Sequence, residues 1–224
     1  RTEVRHQILY DRADIAFRAG NVPQATALLD QLLKKDLDAA AAAKAWFLKG
    51  DLDSEGGNYA AAVKSYAACL KNHPGSEMET AACGRLGDCY YSLYTRDKND
   101  AALGQAIEYY HRLVNRKELN EVIRQQTLFK LGQCFEQKKD DGKALEYYKE
   151  LLFNQKIAVA SGRCTRPIWT VKAAYAAIDI YLDRDTPEAA AEAIRIYRIL
   201  QGLDLNIGED YLKIMTRIKQ KFKL

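Results

Sequence analysis

The 224 residues are 48% hydrophobic and 29% charged, which excludes a disordered or low-complexity chain. A formal net charge of +4 gives no bulk argument for nucleic acid, and 4 prolines and 13 glycines are too few for long linkers. No apolar run reaches the roughly 18–20 residues of a membrane-spanning helix.

The chain opens at Arg1 with no methionine, as expected of a processed product or a fragment. Leu9, Ala13 and Ala16 recur at helical spacing and predict a first helix. Gly20-Asn21 predicts a turn, and Ala25, Leu29 and Leu32 predict the apolar stripe of a second helix. Pro23 suits the first turn of that helix, where no backbone donor is needed. The alanine run Ala39 to Ala43 opens the next unit. Trp46 and Gly50, one turn apart, put a bulky group and a gap on one face. Gly57-Asn58 then turns the chain, and Ala62, Tyr66 and Cys69 share a face of the helix that ends at Pro74.

The third unit begins near Glu77 and carries Leu86, Gly87 and Tyr90, then Ala106, Tyr110 and Leu113. Between its helices, Ser92 to Leu103 reads as an inserted polar loop around Asp97-Lys98-Asn99-Asp100. The fourth unit carries Leu131, Gly132 and Phe135, then Ala144, Tyr148 and Leu151. Gln155 to Pro167, with Ser161-Gly162-Arg163 and Arg166-Pro167, also reads as a loop. A fifth unit has Ala174, Ile178 and Tyr181, then Thr186-Pro187 as a helix start, then Ala193, Tyr197 and Leu200. Ile207, Tyr211, Ile214, Met215, Ile218 and Phe222 form the apolar face of a last helix. Its cations Lys213, Arg217, Lys219, Lys221 and Lys223 read as a solvated face.

These units resemble the tetratricopeptide repeat, whose pattern is W-x2-L-G-x2-Y, then A-x3-F, then P. The residues that carry the likeness are Trp46, Gly50, Ala62, Tyr66 and Pro74, with the cleaner matches Leu86-Gly87-x2-Tyr90, Leu131-Gly132-x2-Phe135 and Ala144-x3-Tyr148. Lys49 and Asp53 depart from the pattern, Tyr66 stands for Phe, and the fifth unit lacks the glycine. The second-helix alanines Ala25, Ala62, Ala106, Ala144 and Ala193 lie 37, 44, 38 and 49 apart, each more than the roughly 34 of the standard repeat. The resemblance implies an all-α solenoid of five helix-turn-helix repeats, near residues 3–36, 40–74, 77–115, 121–154 and 168–201. A capping helix at 207–223 completes a single domain over 1–224.

It further implies that first helices line a concave groove. The place after the glycine reads Asp14, Asp51, Asp88, Gln133 and Asp179; three before it the chain reads Tyr10, Phe47, Gly84, Phe129 and Tyr175. The two places are neighbours on one helix face, and Phe17, Tyr91 and Leu182 extend the stripe. The implied role is a non-enzymatic scaffold for a protein or peptide segment that is extended, basic and partly apolar. The Lys/Asn carboxylate clamp of some family members is not expected, because Asp stands at the Asn place. The alternative is a structural or assembly module of a larger multi-repeat or envelope-associated protein.

No nucleic-acid partner and no cofactor is expected. His6, His73 and His111 are scattered, and Asp51-x-Asp53-x-Glu55-Gly56 lacks the closing glutamate of a calcium loop because Ala62 stands there. Five cysteines without a Cys-x-x-Cys spacing favour a reducing, cytoplasmic setting. Cys69, Cys83, Cys89 and Cys134 read as buried helix residues, whereas Cys164, flanked by Arg163 and Arg166, is the candidate reactive thiol.

Overall fold

A computed structural model describes residues 2–72, 74–161, 168–184, 186–203 and 210–223. Among these residues there are eleven α-helices and no strand. They form two compact units, Arg1–Leu113 and Val114–Leu224.

In the first unit, α1 (Thr2–Arg18) pairs with α2 (Val22–Leu32), α3 (Ala39–Glu55) with α4 (Tyr59–Asn72), and α5 (Glu79–Asp97) with α6 (Asp100–Val114). In the second, α7 (Glu121–Gln137) pairs with α8 (Asp141–Ala160) and α9 (Ile168–Leu182) with α10 (Pro187–Gly202), followed by α11 (Asp210–Phe222). Helices this short are marginal alone in water, so each is held by the neighbour it packs against.

The turns inside pairs share one device. Asn21, Asn58 and Asp140 each donate a backbone N–H to the carbonyl five residues back, on Ala16, Asp53 and Phe135, at 2.8, 2.8 and 2.9 Å. The bond needs a left-handed residue just before the donor. Gly20 and Gly57 supply it with φ of 75° and 73°, and in the fourth pair Lys139 does so at 58°. The entering helices are then capped: Asn21 accepts from the Gln24 N–H, and Thr186 accepts from that of Ala189 with Pro187 beside it.

One expected loop, and the start of another, are largely helical. Residues 92–103 are not an inserted loop, because α5 runs on to Asp97 and α6 starts at Asp100. The span from Gly87 to Ala106 is seven residues longer than that from Gly50 to Ala62, about two helical turns. The added turns keep an apolar face, with Tyr94, Ala102 and Leu103 buried, so the insertion lengthens both helices. Lys98, left-handed at φ 52°, closes the turn. Likewise α8 continues past Gln155 to Ala160, and Gln155 is buried, accepting from the Gln125 amide at 3.4 Å. The rest of that expected loop, with the candidate thiol Cys164, lies outside the described residues, as does Ile207.

The final helix caps its unit: α11 packs on α10 and buries Ile214 and Ile218. Cys69, Cys83, Cys89 and Cys134 are buried in the interior and in no disulfide. Burial pushes the Cys89 thiol up to about 11, against a bond to Ser54 that pulls the other way. Near pH 8 the native protein should therefore resist thiol reagents at these four sites, with Cys89 carrying about a hundredfold less thiolate than a free cysteine. Denaturation should release all four, and mass spectrometry after timed labelling reads this out. Fast native labelling of the four would mean that the helix faces are misassigned.

Candidate functional site

The candidate stripe sits on first helices, and its geometry follows from how those helices meet their partners. In three pairs the first helix carries a glycine at the crossing, and a tyrosine ring of the second helix occupies the gap. A methyl group added at Gly50 would lie 2.5 Å from the Tyr66 ring, and Gly87 and Gly132 are equally filled by Tyr110 and Tyr148. All three rings are buried. A buried phenol needs an acceptor, and each finds a carboxylate on the first helix. Tyr66 donates to Asp51 at 2.5 Å, Tyr110 to Asp88 at 2.6 Å and Tyr148 to Glu136 at 2.7 Å. Burial, reinforced by the bond and charge of Asp51, pushes the Tyr66 hydroxyl well above the usual phenol range, so it remains a donor.

The fourth pair shows how strict the requirement is. Its residue after the glycine is Gln133, and the hydroxyl reaches instead to Glu136, one turn further along the helix. Desolvation pushes the Glu136 carboxyl up, and the charges of Asp141 and Asp179 add to it, while the Tyr148 bond opposes.

Asp51 and Asp88 are therefore acceptors of the helix pairs as well as stripe residues. In the first unit Asp51 also takes Arg85 at 3.2 Å, which ties α3 to α5, and Asp14 takes Arg18 of its own helix at 2.9 Å. Tyr10, Phe17, Phe47 and Tyr91 are half-buried. Phe47 packs on the Tyr66 ring with centroids 5.5 Å apart, and Tyr91 packs on Tyr94 at 6.4 Å. The first unit thus brings Tyr10, Asp14, Phe17, Phe47, Asp51, Asp88 and Tyr91 onto three first helices, with α1 packed on α3.

The second unit uses the same places differently. Phe129 is only 8% exposed, wedged between Tyr148 at 5.9 Å and Trp169 at 5.6 Å, so it is a packing residue and not a surface contact. Leu182 is buried as well. Gln133 and Tyr175 are half-buried, whereas Asp179 is exposed and takes Arg217 of α11 at 2.7 Å. Arg217 is exposed, as expected of a solvated face, and pairs with the stripe position Asp179 from there.

Comparison with known proteins finds the same kind of repeat. A family model described as tetratricopeptide repeat matches residues 10–77, and a second one matches 126–152. The chain carries tetratricopeptide repeats. Among solved structures, the crystal structure of MamA protein is 17% identical, covers 97% of this chain and 92% of that one, and superposes with a TM-score of 0.55. A Podosopora anserina putative kinesin light chain with nearly identical TPR-like repeats is 13% identical, with 97% and 94% covered and a TM-score of 0.57. At such identities the likeness is one of fold. No curated protein matches the sequence.

Sequence reasoning placed the repeat glycines and second-helix tyrosines but missed their hydroxyl partners. A signal was present: Asp follows Gly in both the second and third repeats, and each has Tyr at the Phe place. The Glu136 carboxyl gives a test. A carboxyl raised in the folded state stabilises the fold only while protonated, so its contribution is full below the ordinary carboxylate pKa of about 4.3 and is lost as pH rises through the raised value. Glu136→Gln keeps an acceptor for Tyr148 without the buried charge. Denaturant titrations should show the variant equal to or more stable than the parent at pH 7, with the difference changing against the variant near pH 4. A variant that loses more stability at pH 7 than at pH 4 would contradict this assignment.

Proposed function

We propose that this domain is a non-catalytic scaffold that binds an extended, basic and partly apolar protein segment along the first-helix stripe. Repeats of this class are interaction scaffolds, built from helix pairs whose exposed faces form extended binding surfaces. In the first unit the contacts are Tyr10, Asp14, Phe47, Asp51, Asp88 and Tyr91. The observation that supports this reading is internal to the chain. The basic, amphipathic α11 lays Arg217 on Asp179, a stripe position of α9. A separate segment would make the same contact at Asp14 and Asp51, sharing them with Arg18 and Arg85. Half-buried rings beside the carboxylates add cation–π contact worth about 0.5–2 kcal/mol each. The reading is non-catalytic because the groups with the largest shifts, Tyr66 and Cys89, are buried and bonded within the fold, to Asp51 and to Ser54.

A second reading, an assembly module, is favoured by one observation. Val4, Ile8 and Ile15 of α1 are 62%, 51% and 66% exposed, and they fall within about 40° of one another around the helix. Such a stripe suits a protein neighbour.

Because Asp51 and Asp88 hold tyrosine hydroxyls, the informative substitutions remove charge and keep the acceptor. A synthetic peptide of alternating Lys and Leu should bind, and Asp51→Asn with Asp88→Asn should weaken it by about tenfold. Affinity should fall as salt rises, and the melting temperature should change little. Unchanged affinity in the double variant, or equal binding of a Glu/Leu peptide at this stripe, would reject the stripe. Concentration-dependent self-association without peptide binding would favour the assembly reading.

A further inference from the structure

The second helix of the fifth repeat, α10, leaves one face uncovered along its length. The residues on it recur at helical spacing, from Ala191 through Ile194 and Arg195 to Arg198 and Ile199. Two hollows lie end to end on this face and share Ala191 and Ile194. One, of about 650 Å³, is closed by Lys221 and Phe222 of α11, and the other, of about 360 Å³, is flanked by Lys156 of α8. At Gly202, the far end, an added methyl would meet nothing within 4 Å. The trough follows the 16 residues of α10, about 24 Å at 1.5 Å per residue.

Its floor and rim differ in chemistry. The floor is hydrocarbon, with Ala191 and Ile194 at its centre and Ile199 beyond them. The rim is cationic, formed by Lys156, Arg195, Arg198, Lys221 and Lys223, and among the described residues no carboxylate lines either hollow. Glu192, which pairs with Arg195 at 3.3 Å, is also engaged by Lys149 at 2.9 Å. An apolar strip bordered by cations complements a helix with one apolar face and carboxylates beside it. Phosphates of a nucleic acid would match the rim but would leave the floor without a partner.

We propose that this face docks an acidic amphipathic helix of a partner protein, with its apolar side on Ala191, Ile194 and Ile199 and its carboxylates on the rim. The occupant has the opposite sign to the segment proposed for the first-helix stripe, so one chain would hold two segments by different faces.

The test uses the intact chain and a fluorescent peptide of about sixteen residues, with Leu at helical spacing and Glu at most other positions, followed by anisotropy. A scrambled peptide of the same composition, single-stranded DNA and phosphatidylserine vesicles serve as competitors. Saturable binding of the patterned peptide is expected, weakened at least about tenfold by Arg198→Glu with Lys221→Glu, and by Ile194→Asp. Asp51→Asn with Asp88→Asn should leave it unchanged. Both rim residues are exposed, so the charge variant should keep the parent circular dichroism and remain interpretable should Ile194→Asp misfold. Equal affinity for the scrambled peptide, unaltered binding by the folded charge variant, or no peptide binding with or without capture of DNA or vesicles would overturn the proposal.

Discussion

Each central helix pair is fixed by a phenol ring that has no room unless the facing residue is glycine. The glycine removes a side chain, the ring enters the gap, and its hydroxyl must then find an acceptor in a dry place. The acceptor is a carboxylate on the same first helix as the glycine, so one tyrosine is held sterically and by a charge-assisted bond. The outer pairs meet the constraint otherwise. In the first repeat Ala13 stands at the glycine place and Leu29 at the tyrosine place, both buried in one cluster. In the fifth, a buried Ile178 stands at the glycine place, and Tyr197 takes a bond from Gln201 on its own helix. Where the glycine is replaced, the ring is lost in the first repeat and kept in the fifth, so the three-part device belongs to the central repeats.

That device also shapes the surface. A carboxylate that accepts a phenol from inside lies at the edge of the exposed face, and two of the stripe aspartates are held there for this reason. Arg85, Arg18 and Arg217 then gather on Asp51, Asp14 and Asp179. The pairs are solvent-exposed to differing degrees and individually weak. Three of the stripe aspartates thus each hold a guanidinium of the chain itself. The outer face of α10 has the reverse character, with cations beside hydrocarbon.

Much of the fold was legible in the sequence because helical period, turn residues and small residues act locally. The five pairs and the last helix fall within a few residues of expectation, and Gly20, Gly57 and Thr186 have the turn and cap roles that their chemistry demands. One expected loop, and the start of the other, failed for one reason: polar runs were read as breaks although Tyr94, Leu103 and Gln155 keep the buried period there. The candidate surface was less legible. Phase alone put Phe129 on the stripe, but whether a half-turn position is covered depends on the next helix, and Trp169 covers it. The partners of Asp51 and Asp179 come from 34 and 38 residues away, beyond what local pattern can supply.

The most direct test of the account is a double-mutant cycle at Gly87 and Tyr110, read by chemical denaturation. Gly87→Ala should destabilise the domain by about 1–3 kcal/mol or more, because the ring has no space to move into. Tyr110→Leu in the same chain recreates the Ala/Leu combination of the first repeat, and should recover part of that loss, a coupling of about 1 kcal/mol or more. Additive losses from the two changes, or a Gly87→Ala variant as stable as the parent, would contradict the claim that glycine and ring form one unit.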